Sequence, residues 1–458
     1  MDTIAAIATP RAVGGLSIIR VSGESAVNVA RKVFMPVSGE VMELKSHTAV
    51  YGNIFDSEEK IDDGMLTIFF APNSYTGENV AEISCHGGIY VTERVLRACL
   101  NAGARLAGAG EFTKRALLNG KLSLTQAESV IDIINSHSKQ YLTCSLAQRE
   151  GALFRKTEEI SSIILDITVQ IAAWIDYPDE SLDSFETSSF LGQLADCRTK
   201  LQLLLESFEV GRIMREGVLT AIVGKPNAGK STLMNQLTKS NRSIVTDIAG
   251  TTRDIIEESV NIGEIILRLC DCAGLRDTED LERTVREVEE IGINNMLNRL
   301  EQCELALAVF DNSRPLEKED YTLIEKLKGK TVICVINKAD LENRLDLTYL
   351  ATQFGSVVEI TAKDEASFEP LTSVICKTLQ LGRVDMSAGF IANERQRECA
   401  AIAESALERA IDGILAGYAL DMLGVTLESA LESLYELSGK SVSETVIDEV
   451  FRRFCVGK

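Results

Sequence analysis

One stretch, GKPNAGKS from Gly224 to Ser231, limits what this chain can fold into more than any other feature of the sequence. The run before it, Val218 to Val223, is apolar and rich in β-branched residues, which is typical of a buried parallel strand. The residues after it, STLMNQLTK, have the spacing of a helix. The pattern Gly-x-x-x-x-Gly-Lys-Ser between a strand and a helix is a P-loop, whose backbone N–H groups and helix dipole face phosphate oxygens. The alternative is a chance glycine-rich turn, but both flanks are those that a P-loop needs.

Two side chains of this loop have specific predicted contacts. Lys230 is expected to reach the β- and γ-phosphates, and the hydroxyl of Ser231 is expected to bind Mg²⁺. The predicted nucleotide-binding residues of the loop are Asn227, Ala228, Gly229, Lys230, Ser231 and Thr232.

Two further motifs follow in the order that a guanine-nucleotide switch requires. TDIAGTTRD is polar and broken by glycine, which suits a mobile loop, and Thr251 or Thr252 is available to the metal ion. A strand pattern then runs into Asp-x-x-Gly, where Asp271 can hold Mg²⁺ through water and the Gly274 N–H can contact the γ-phosphate. The predicted GTP-binding residues of these two loops are Thr246, Asp247, Ile248, Ala249, Gly250, Thr251, Thr252, Asp271, Cys272, Ala273 and Gly274.

Guanine specificity is predicted after the apolar run TVICVI, where the chain continues as Asn-Lys-Ala-Asp. The carboxylate of Asp340 can accept hydrogen bonds from the N1–H and 2-amino groups of guanine, and adenine offers neither donor in that arrangement. A second base-contacting loop is expected after the apolar run SVVEI. The predicted base-binding residues are Asn337, Lys338, Asp340, Thr361, Ala362 and Lys363. These motifs in register predict a Ras-like GTPase domain.

The residue after Asp-x-x-Gly is Leu275, where Ras-like GTPases have a Gln that orients the attacking water. Because leucine cannot do this, either GTP hydrolysis is very slow or other groups hold the water and the developing charge. Asn227 is one candidate, since its amide oxygen could coordinate a monovalent cation beside the phosphates. The alternative is that Asn227 is an ordinary residue of the loop.

Composition excludes some classes of protein. The 458 residues are enough for about three domains. The net charge of −21 gives no global basic field for nucleic acid, so contact with RNA would be local or through a partner. The eleven cysteines are scattered without a C-x-x-C pair, as free thiols in a reducing cytoplasm are. No window reaches the ~18 apolar residues that a membrane span needs, so we expect a soluble cytoplasmic protein.

The hydrophobic pattern divides the chain into four segments. Residues 1–119 mix short apolar strands with helices and predict an α/β domain. Residues 120–215 show helical apolar faces, with a polar break at 181–189. Residues 216–379 hold the GTPase motifs, and residues 380–458 are helical again. Because neither helical half is long enough to bury itself, we expect one discontinuous helical domain with the GTPase domain inserted into it.

Two side chains outside the GTPase motifs are chemically suggestive. His86 lies beside two glycines, where a structural or substrate-contact role is favoured over a general base or a metal ligand. Cys455 lies in the tail FRRFCVGK, close to Arg452, Arg453 and Lys458, whose charges would favour a nucleophilic thiolate. An inert, packed thiol at a helix end is an equal alternative for Cys455.

Over its full length the chain resembles the MnmE (TrmE) family of tRNA uridine-modification GTPases. The motifs that carry the resemblance are ATPRAVGGLSIIRVSG, SYTGE with HGG, GEFTKRALLNGKLSLTQAE, GKPNAGKS, TDIAGTTRD, AGLR, NKAD and the terminal FCVGK. Other P-loop GTPases lack both the front domain and the cysteine-containing tail. The departures are Cys272 for the usual Thr, Thr361 for the usual Ser, and a longer segment after Leu275.

The resemblance implies a folate-binding N-terminal domain that also dimerises, a helical domain split around the GTPase domain, and a homodimer. It implies a heterotetramer with the FAD-dependent protein MnmG. Together the two proteins would add an aminomethyl or carboxymethylaminomethyl group to the wobble uridine of certain tRNAs. The one-carbon unit would come from 5-formyltetrahydrofolate or methylenetetrahydrofolate.

The resemblance also assigns residues to these ligands. The positions that match the family's folate contacts are Arg20, Glu82, Lys121 and Lys458. The positions that match a K⁺ site are Asn227, Thr246, Ile248 and Thr251, and those for Mg²⁺ are Ser231 and Thr252. Glu289 in EVEEIGI would orient the attacking water, although the adjacent Glu290 is an alternative. Potassium would then replace an arginine finger, which answers the question that Leu275 raises.

A second class of function is a ribosome-assembly or translation-associated GTPase that acts as a binding switch. A basic RNA-binding appendage would favour that function. The acidic balance, the front α/β domain and the thiol in the tail favour the tRNA-modifying enzyme instead.

Overall fold

The computed structural model describes residues 2–37, 45–176, 187–240, 257–262, 265–270, 303–364, 368–379, 389–452 and 454–457. The chain forms two compact units. The first comprises Met1–Ile131, Gln148–Cys197 and Ile402–Lys458, and the second comprises Asp132–Ala147 and Arg198–Ala401. No helix of the described ranges is long and apolar enough to cross a membrane.

The described strands have the following bounds: β1 (Ile4–Ile7), β2 (Ser17–Ser22), β3 (Phe34–Pro36), β4 (Thr48–Asp56), β5 (Glu59–Phe69), β6 (Val80–Cys85), β7 (Arg105–Leu106), β8 (Val218–Val223), β9 (Glu257–Ile262), β10 (Ile265–Cys270), β11 (Leu305–Asp311), β12 (Val332–Asn337) and β13 (Val357–Glu359).

The described helices have the following bounds: α1 (Ala26–Val33), α2 (Ile89–Asn101), α3 (Glu111–Leu118), α4 (Leu124–Ile134), α5 (Lys139–Arg149), α6 (Ala152–Asp176), α7 (Thr187–Glu216), α8 (Lys230–Ser240), α9 (Lys318–Lys326), α10 (Leu347–Gln353), α11 (Phe368–Thr378), α12 (Glu394–Leu415), α13 (Leu420–Ser438) and α14 (Glu444–Arg452).

A seven-stranded sheet in the order β3-β4-β5-β6-β2-β1-β7 forms the α/β part of the first unit. Neighbouring strands are antiparallel, except that β1 and β7 are parallel. Buried residues of α1 and α2, such as Val29, Val33, Val95 and Cys99, share one apolar core with the sheet. The strands that the apolar runs of residues 1–119 predict are confirmed as β2, β4, β5 and β6. The short strands β1, β3 and β7 have too few residues to show a period.

The helical part of the first unit confirms the predicted apolar faces. Ile160, Ile164, Ile167 and Ile171 are buried on α6, and Leu423, Leu427, Leu431 and Leu434 are buried on α13. A Cβ at Gly424 would lie 3.8 Å from Ile171 Cγ2, so these two helices pack closely.

The predicted polar break is shorter than 181–189, because Thr187 to Ser189 belong to α7. Residues 177–186 lie outside the described residues.

A six-stranded sheet in the order β13-β12-β11-β8-β10-β9 forms the centre of the second unit. All neighbours are parallel except β9 and β10. Numbered along the chain, this is the 6-5-4-1-3-2 order of Ras-like GTPase domains, so the predicted fold class is confirmed. Both faces are covered, since Leu233 of α8 packs in one core cluster and Leu323 of α9 packs in the other.

The parallel arrangement places the predicted nucleotide motifs at one edge of this sheet. The strand predicted before the P-loop is β8, and the Asn-Lys-Ala-Asp motif begins at the last residue of β12. Carboxyl ends of parallel strands meet at the same edge, and ligands of such sheets bind in the crevice outside it. The two loops therefore lie close together.

Candidate functional site

The P-loop joins β8 to α8 through two glycines that no other residue can replace without strain. Gly224 has φ 152° and Gly229 has φ 100°, both in the region that favours glycine. A Cβ at Gly224 would lie 2.3 Å from Val309 O, and one at Gly229 would lie 2.0 Å from Asn337 Nδ2. The loop backbone is therefore pressed against the ends of β11 and β12.

The charged and polar side chains of the loop lie where α8 begins. Lys230 is the first residue of α8, and its Nζ donates to Lys225 O at 2.7 Å. Ser231 is exposed in the first turn, and Asn227 is exposed with φ 64°, a conformation that asparagine tolerates. A helix N-terminus with glycine-rich backbone before it suits phosphate, so the loop fits the nucleotide that the sequence predicts.

Asn337 links three loops of the site. Its side chain is only 2% exposed. Its Nδ2 donates to Ala228 O at 2.8 Å, and its Oδ1 accepts from Lys338 N at 2.8 Å and from Ala362 N at 3.0 Å. The P-loop, the Asn-Lys-Ala-Asp motif and the loop after β13 are thus held by one buried amide.

The predicted base-reading carboxylate lies beside the second base loop. Asp340 is exposed, and its Oδ1 accepts from Thr361 Oγ1 at 3.5 Å. The two loops are also joined through backbone, because Ala339 N donates to Ile360 O at 3.1 Å. Lys363 O accepts from Gln236 Nε2 at 3.4 Å, which connects this loop to α8. An exposed carboxylate held by its neighbours is available to the donors of a guanine base.

Two supporting groups of the nucleotide site are absent from the sequence prediction. Asp311, the last residue of β11, accepts from Lys338 Nζ at 2.5 Å and from Ser313 Oγ at 2.7 Å. Burial alone would raise the pKa of Asp311, but these hydrogen bonds hold its pKa below the ordinary value. The signal that could have identified Asp311 is its place directly after the apolar run LALAVF, on a strand parallel to β12.

The second supporting group is an ion cluster on the P-loop. Lys225 Nζ lies 2.6 Å from Glu317 Oε2 and 2.7 Å from Asp320 Oδ2, at the N-terminus of α9. Burial would lower the pKa of Lys225, but Asp320 and Glu317 hold it above the ordinary value. These contacts fix the variable residues of the P-loop motif, which sequence spacing alone does not reveal.

Several predicted site residues lie outside the described residues. They are Thr246, Asp247, Ile248, Ala249, Gly250, Thr251, Thr252, Asp271, Cys272, Ala273, Gly274, Glu289 and Lys458. Of the predicted K⁺ and Mg²⁺ ligands, the structure therefore describes Asn227 and Ser231.

In the first unit, Arg20 and Glu82 form an ion pair between β2 and β6. The two residues are paired in the register of the strands, and Arg20 Nε donates to Glu82 Oε1 at 2.8 Å. The guanidinium also lies 5.6 Å from the ring centroid of Tyr75 and 5.7 Å from that of Phe112. A cation beside two aromatic rings suits a flat ligand with negative charge.

Lys121 is brought to the same part of this domain. Its Nζ donates to Pro72 O at 3.1 Å, and its Cγ would lie 3.4 Å from a Cβ at Gly77. The segment 72–78, which contains Tyr75, thus contacts both Lys121 and Arg20. Two of the four predicted folate residues, Arg20 and Lys121, therefore contact one segment, and Glu82 is joined to them through its ion pair with Arg20. The aromatic groups at Tyr75 and Phe112 were not among the predictions.

A buried arginine that the sequence did not predict is bonded to the end of the segment 72–78. Arg115 is 3% exposed. Its Nη1 donates to Glu78 Oε2 at 3.0 Å and to Asp2 O at 2.7 Å, and its Nη2 donates to Glu111 Oε1 at 3.0 Å. Glu78 also accepts from Ser22 Oγ at 2.8 Å. The spacing of Glu111 and Arg115 on one helix was the available signal.

The tail lies on the end of β1 and on the loop between β7 and α3. Val456 forms a β-bridge with Ala109, and Gly110 N donates to Cys455 O at 3.4 Å. A Cβ at Gly457 would lie 2.2 Å from Ile7 O. Among the cysteines that the structure describes, Cys455 is the exposed one. The thiol is therefore not packed at a helix end, and its reactivity stays a prediction.

His86 is tied to Asp62 through two hydrogen bonds. Its backbone N–H donates to Asp62 Oδ2 at 2.8 Å, and its Nδ1 lies 2.8 Å from Asp62 Oδ1. The bond to Asp62 raises the pKa of the exposed His86 imidazole. Within the described ranges, no group of three or more His, Cys, Asp or Glu side chains could hold a metal ion.

Comparison with known proteins matches this chain over almost its whole length. The model of the MnmE helical domain matches residues 124–455, and that of the GTP-binding protein TrmE N-terminus matches residues 3–121. A tRNA modification GTPase MnmE from Thermoanaerobacter sp. (strain X514) is 42% identical over 465 residues, covering 100% of this chain and 99% of that protein. The chain belongs to the MnmE family. The tRNA modification GTPase MnmE from Clostridioides difficile (strain 630) is 38% identical over 463 residues, again covering 100% of this chain and 99% of the relative.

Two solved structures that this MnmE-family chain resembles each match part of it. The FeoB G-domain from Methanococcus jannaschii is 21% identical and covers 36% of this chain and 97% of its own, with a TM-score of 0.26. Era from Aquifex aeolicus is 25% identical and covers 41% of this chain and 66% of its own, with a TM-score of 0.27. The Ras-like fold of the second unit is therefore assigned from its strand order, not from these matches.

Proposed function

We propose that this chain is a potassium-activated GTPase that modifies C5 of the wobble uridine in certain tRNAs. Membership of the MnmE family makes it a GTP hydrolase that acts in tRNA modification. We infer that it works as a homodimer in the cytoplasm with the FAD-dependent protein MnmG. The group added is aminomethyl or carboxymethylaminomethyl, and its one-carbon unit comes from 5-formyltetrahydrofolate or methylenetetrahydrofolate.

One observation carries the nucleotide part of this proposal. The single buried amide of Asn337 holds the P-loop and both base loops together. The absence of a side chain at Gly229 lets the P-loop backbone pack against Asn337, and the exposed carboxylate of Asp340 is available to guanine. These residues fit a guanine nucleotide with its magnesium ion on Ser231.

Potassium is supported by what the chain lacks at one position. Leu275 cannot orient the attacking water. In other GTPases an arginine finger stabilises the developing charge and raises turnover by ~10³-fold or more. A potassium ion, when bound, supplies positive charge beside the phosphates. Asn227 is exposed on the P-loop in a conformation that asparagine tolerates, which suits an oxygen ligand. Glu289 is proposed to orient the attacking water.

The folate part rests on the ion pair and rings of the N-terminal domain. Arg20 lies against Tyr75 and Phe112, and Lys121 holds the segment that carries Tyr75. A reduced folate has a flat ring system and carboxylates, which suit aromatic faces and cations respectively. Cys455 is proposed as the catalytic thiol, and Lys458 as a further folate contact.

The test combines both reactions. The purified chain, MnmG, tRNA and 5-formyl- or methylene-tetrahydrofolate are incubated with GTP in potassium or sodium buffer, and the nucleosides are analysed by mass spectrometry. We expect modified wobble uridine in potassium buffer, with GTP hydrolysis slower by ~10²-fold or more in sodium. Equal hydrolysis in both buffers would contradict potassium activation. Hydrolysis without modified uridine would favour a binding switch in translation or ribosome assembly.

A further inference from the structure

The tail is held by a cluster of contacts that the proposed chemistry does not explain. We name Gly110, Phe451 and Phe454 the tail clamp. The two phenylalanines are buried, with ring centroids 4.9 Å apart, and they pack with Ala127 and Val130 of α4. Cys455, the next residue along the chain, is exposed. The clamp thus fixes the backbone on one side of the thiol.

Gly110 has no room for a side chain. It lies at the N-terminus of α3 with φ 63°. A Cβ at this position would lie 2.8 Å from Phe454 Cβ and 2.9 Å from Phe451 Cδ1. The same residue donates its N–H to Cys455 O at 3.4 Å. Gly110 therefore contacts both phenylalanines and the residue that carries the thiol.

An ion pair also connects α3 with α14, about one helical turn beyond Gly110. Lys114 Nζ lies 2.5 Å from Asp448 Oδ1 and joins α3 to α14. This bond lowers the pKa of the exposed Asp448 carboxyl. An exposed pair of this kind adds little to the free energy of folding.

We propose that the tail clamp positions Cys455 for the tRNA modification reaction, with Lys114 and Asp448 aligning the helix that precedes it. The inference rests on the proposed function, because it assigns the clamp to the reaction in which Cys455 acts. The clamp residues are positioning residues, since they act through the tail and not on the substrate.

The test compares two glycine substitutions with similar backbone strain. Gly110→Ala places a Cβ against the two phenylalanines, whereas Gly417→Ala has φ 73° and nothing within 4 Å. Overpacking lowers the equilibrium constant for a filled contact by roughly tenfold or more. We therefore expect Gly110→Ala to speed hydrogen exchange in the C-terminal peptide by that factor. We expect the same variant to lower uridine modification at least tenfold while GTP hydrolysis stays unchanged. Gly417→Ala should match the wild type in all three measurements.

The outcomes separate this inference from the proposed function. If the wild-type chain does not modify uridine, the proposed function fails. If the wild type is active and Gly110→Ala loosens the tail without loss of modification, the positioning inference is wrong. A charge exchange checks the ion pair: Asp448→Lys should lower modification, and the double change Lys114→Asp with Asp448→Lys should restore it. No recovery in the double variant would remove Lys114 and Asp448 from the positioning role.

A separate observation concerns two buried thiols of the second unit. Cys270 Sγ and Cys303 Sγ lie 3.7 Å apart, and both residues are 8% exposed. Cys270 is the last residue of β10, directly before Asp271, which is predicted to hold Mg²⁺ through water. A disulfide needs the two sulfur atoms at about 2.05 Å, so closing the bond would draw the end of β10 toward residue 303.

We propose that this pair is a thiol switch on GTP hydrolysis. Hydrogen peroxide would take two electrons and two protons from the thiols, which form one S–S bond, and would itself become two water molecules. A dithiol reductant would reverse the step by disulfide exchange. The bond would displace the end of β10, directly before Asp271 in the sequence, and slow hydrolysis.

The test measures GTP hydrolysis before and after peroxide, and again after dithiothreitol. We expect a loss of roughly tenfold or more that reverses on reduction, since magnesium-linked residues dominate this chemistry. Cys303→Ser should be insensitive, whereas Cys334→Ser, a change at a buried cysteine of β12, should remain sensitive. Fragment mass spectra should show Cys270, and not Cys272, joined to Cys303. A persistent loss of activity in Cys303→Ser, or no such cross-link, would overturn the switch.

Discussion

The nucleotide site of the second unit and the site around Arg20 in the first unit are held together by different kinds of contact. In the nucleotide site, the contacts come from short continuous motifs, and most are made by backbone. Gly229, Asn337 and Ala362 meet because parallel strands end at one edge. In the first unit, Arg20 and Cys455 come from opposite ends of the chain. The contacts around Arg20 are made by side chains, whereas Cys455 is joined to Gly110 through backbone.

This difference determines how each site tolerates change. A loop formed by backbone fails when its conformation changes, so a single added methyl group at a glycine is severe. A surface formed by side chains loses one contact at a time, and charge-assisted hydrogen bonds are worth ~1.5–3 kcal/mol each. Substitutions in the nucleotide site are therefore expected to have larger effects than those beside Arg20.

The largest effect is expected for Gly229→Ala. The new Cβ would lie 2.0 Å from Asn337 Nδ2, and the residue has φ 100°. Strain and overpacking together cost on the order of 3 kcal/mol or more, so GTP affinity should fall by ~10²-fold or more. Titration with a fluorescent GTP analogue measures this. Gly355→Ala, which meets nothing within 4 Å, is the control, and equal affinity in the two variants would contradict the backbone account.

Asn337→Ala should come next. The variant removes an acceptor from two backbone N–H groups and a donor from Ala228 O, and each unsatisfied buried group costs ~1–3 kcal/mol. We expect GTP affinity to fall by ~10²-fold and the unfolding temperature to drop. Asn337→Asp keeps the acceptor and loses the donor to Ala228 O, so its affinity should be intermediate. If the aspartate variant is as weak as the alanine variant, the donor to the P-loop is the decisive contact.

The same difference explains what the sequence could predict. The P-loop and the Asn-Lys-Ala-Asp motif are each a short continuous run directly after an apolar strand pattern, and this pattern placed them at β8, α8 and β12. The buried role of Asn337 was not predicted, because a motif shows residue types and not their partners. Asp311 and Lys225 were missed for the same reason.

In the first unit, residue chemistry alone predicted an α/β domain and singled out His86 and Cys455 without deciding the role of either. Arg20, Glu82 and Lys121 entered through a resemblance, because residues so far apart show no local pattern. Arg115 was missed, since a buried arginine with three acidic partners looks like any helical arginine in the sequence. Short strands such as β7 were missed because two residues have no period.

A third effect should be confined to the first unit. Arg20→Gln removes the cation beside Tyr75 and Phe112 and leaves Glu82 without its ion pair. If this group binds a folate carboxylate, affinity for 5-formyltetrahydrofolate should fall by roughly tenfold or more. Isothermal titration calorimetry measures it. Arg97→Gln, at an exposed position on α2, is the control. A matching loss of GTP affinity would show that the two sites are not independent.

The smallest effect concerns pH and the carboxylate of Glu111. Its Oε1 accepts from Arg115 Nη2 at 3.0 Å and its Oε2 accepts from Gly108 N at 2.8 Å, and Arg105 pairs with it as well. Burial alone would raise the pKa of Glu111, but these donors lower the pKa from 4.5 to about 2. A carboxyl with a depressed pKa stabilises the folded state above pH 4.5, and this contribution is lost as pH falls toward about 2.

Glu111→Gln isolates that contribution, because Asp2 and Glu78 keep their own pairs with Arg115 in the variant. The wild type should be more stable at pH 7, by no more than about 1 kcal/mol since Arg105 is half exposed and solvent screens the pair. This difference should stay constant down to pH 4.5 and then shrink toward zero near pH 2. Free energies of unfolding from urea titrations at several pH values measure it. A difference that stays constant to pH 2 would mean that Glu111 stabilises α3 through its shape and hydrogen bonds, and not through its charge.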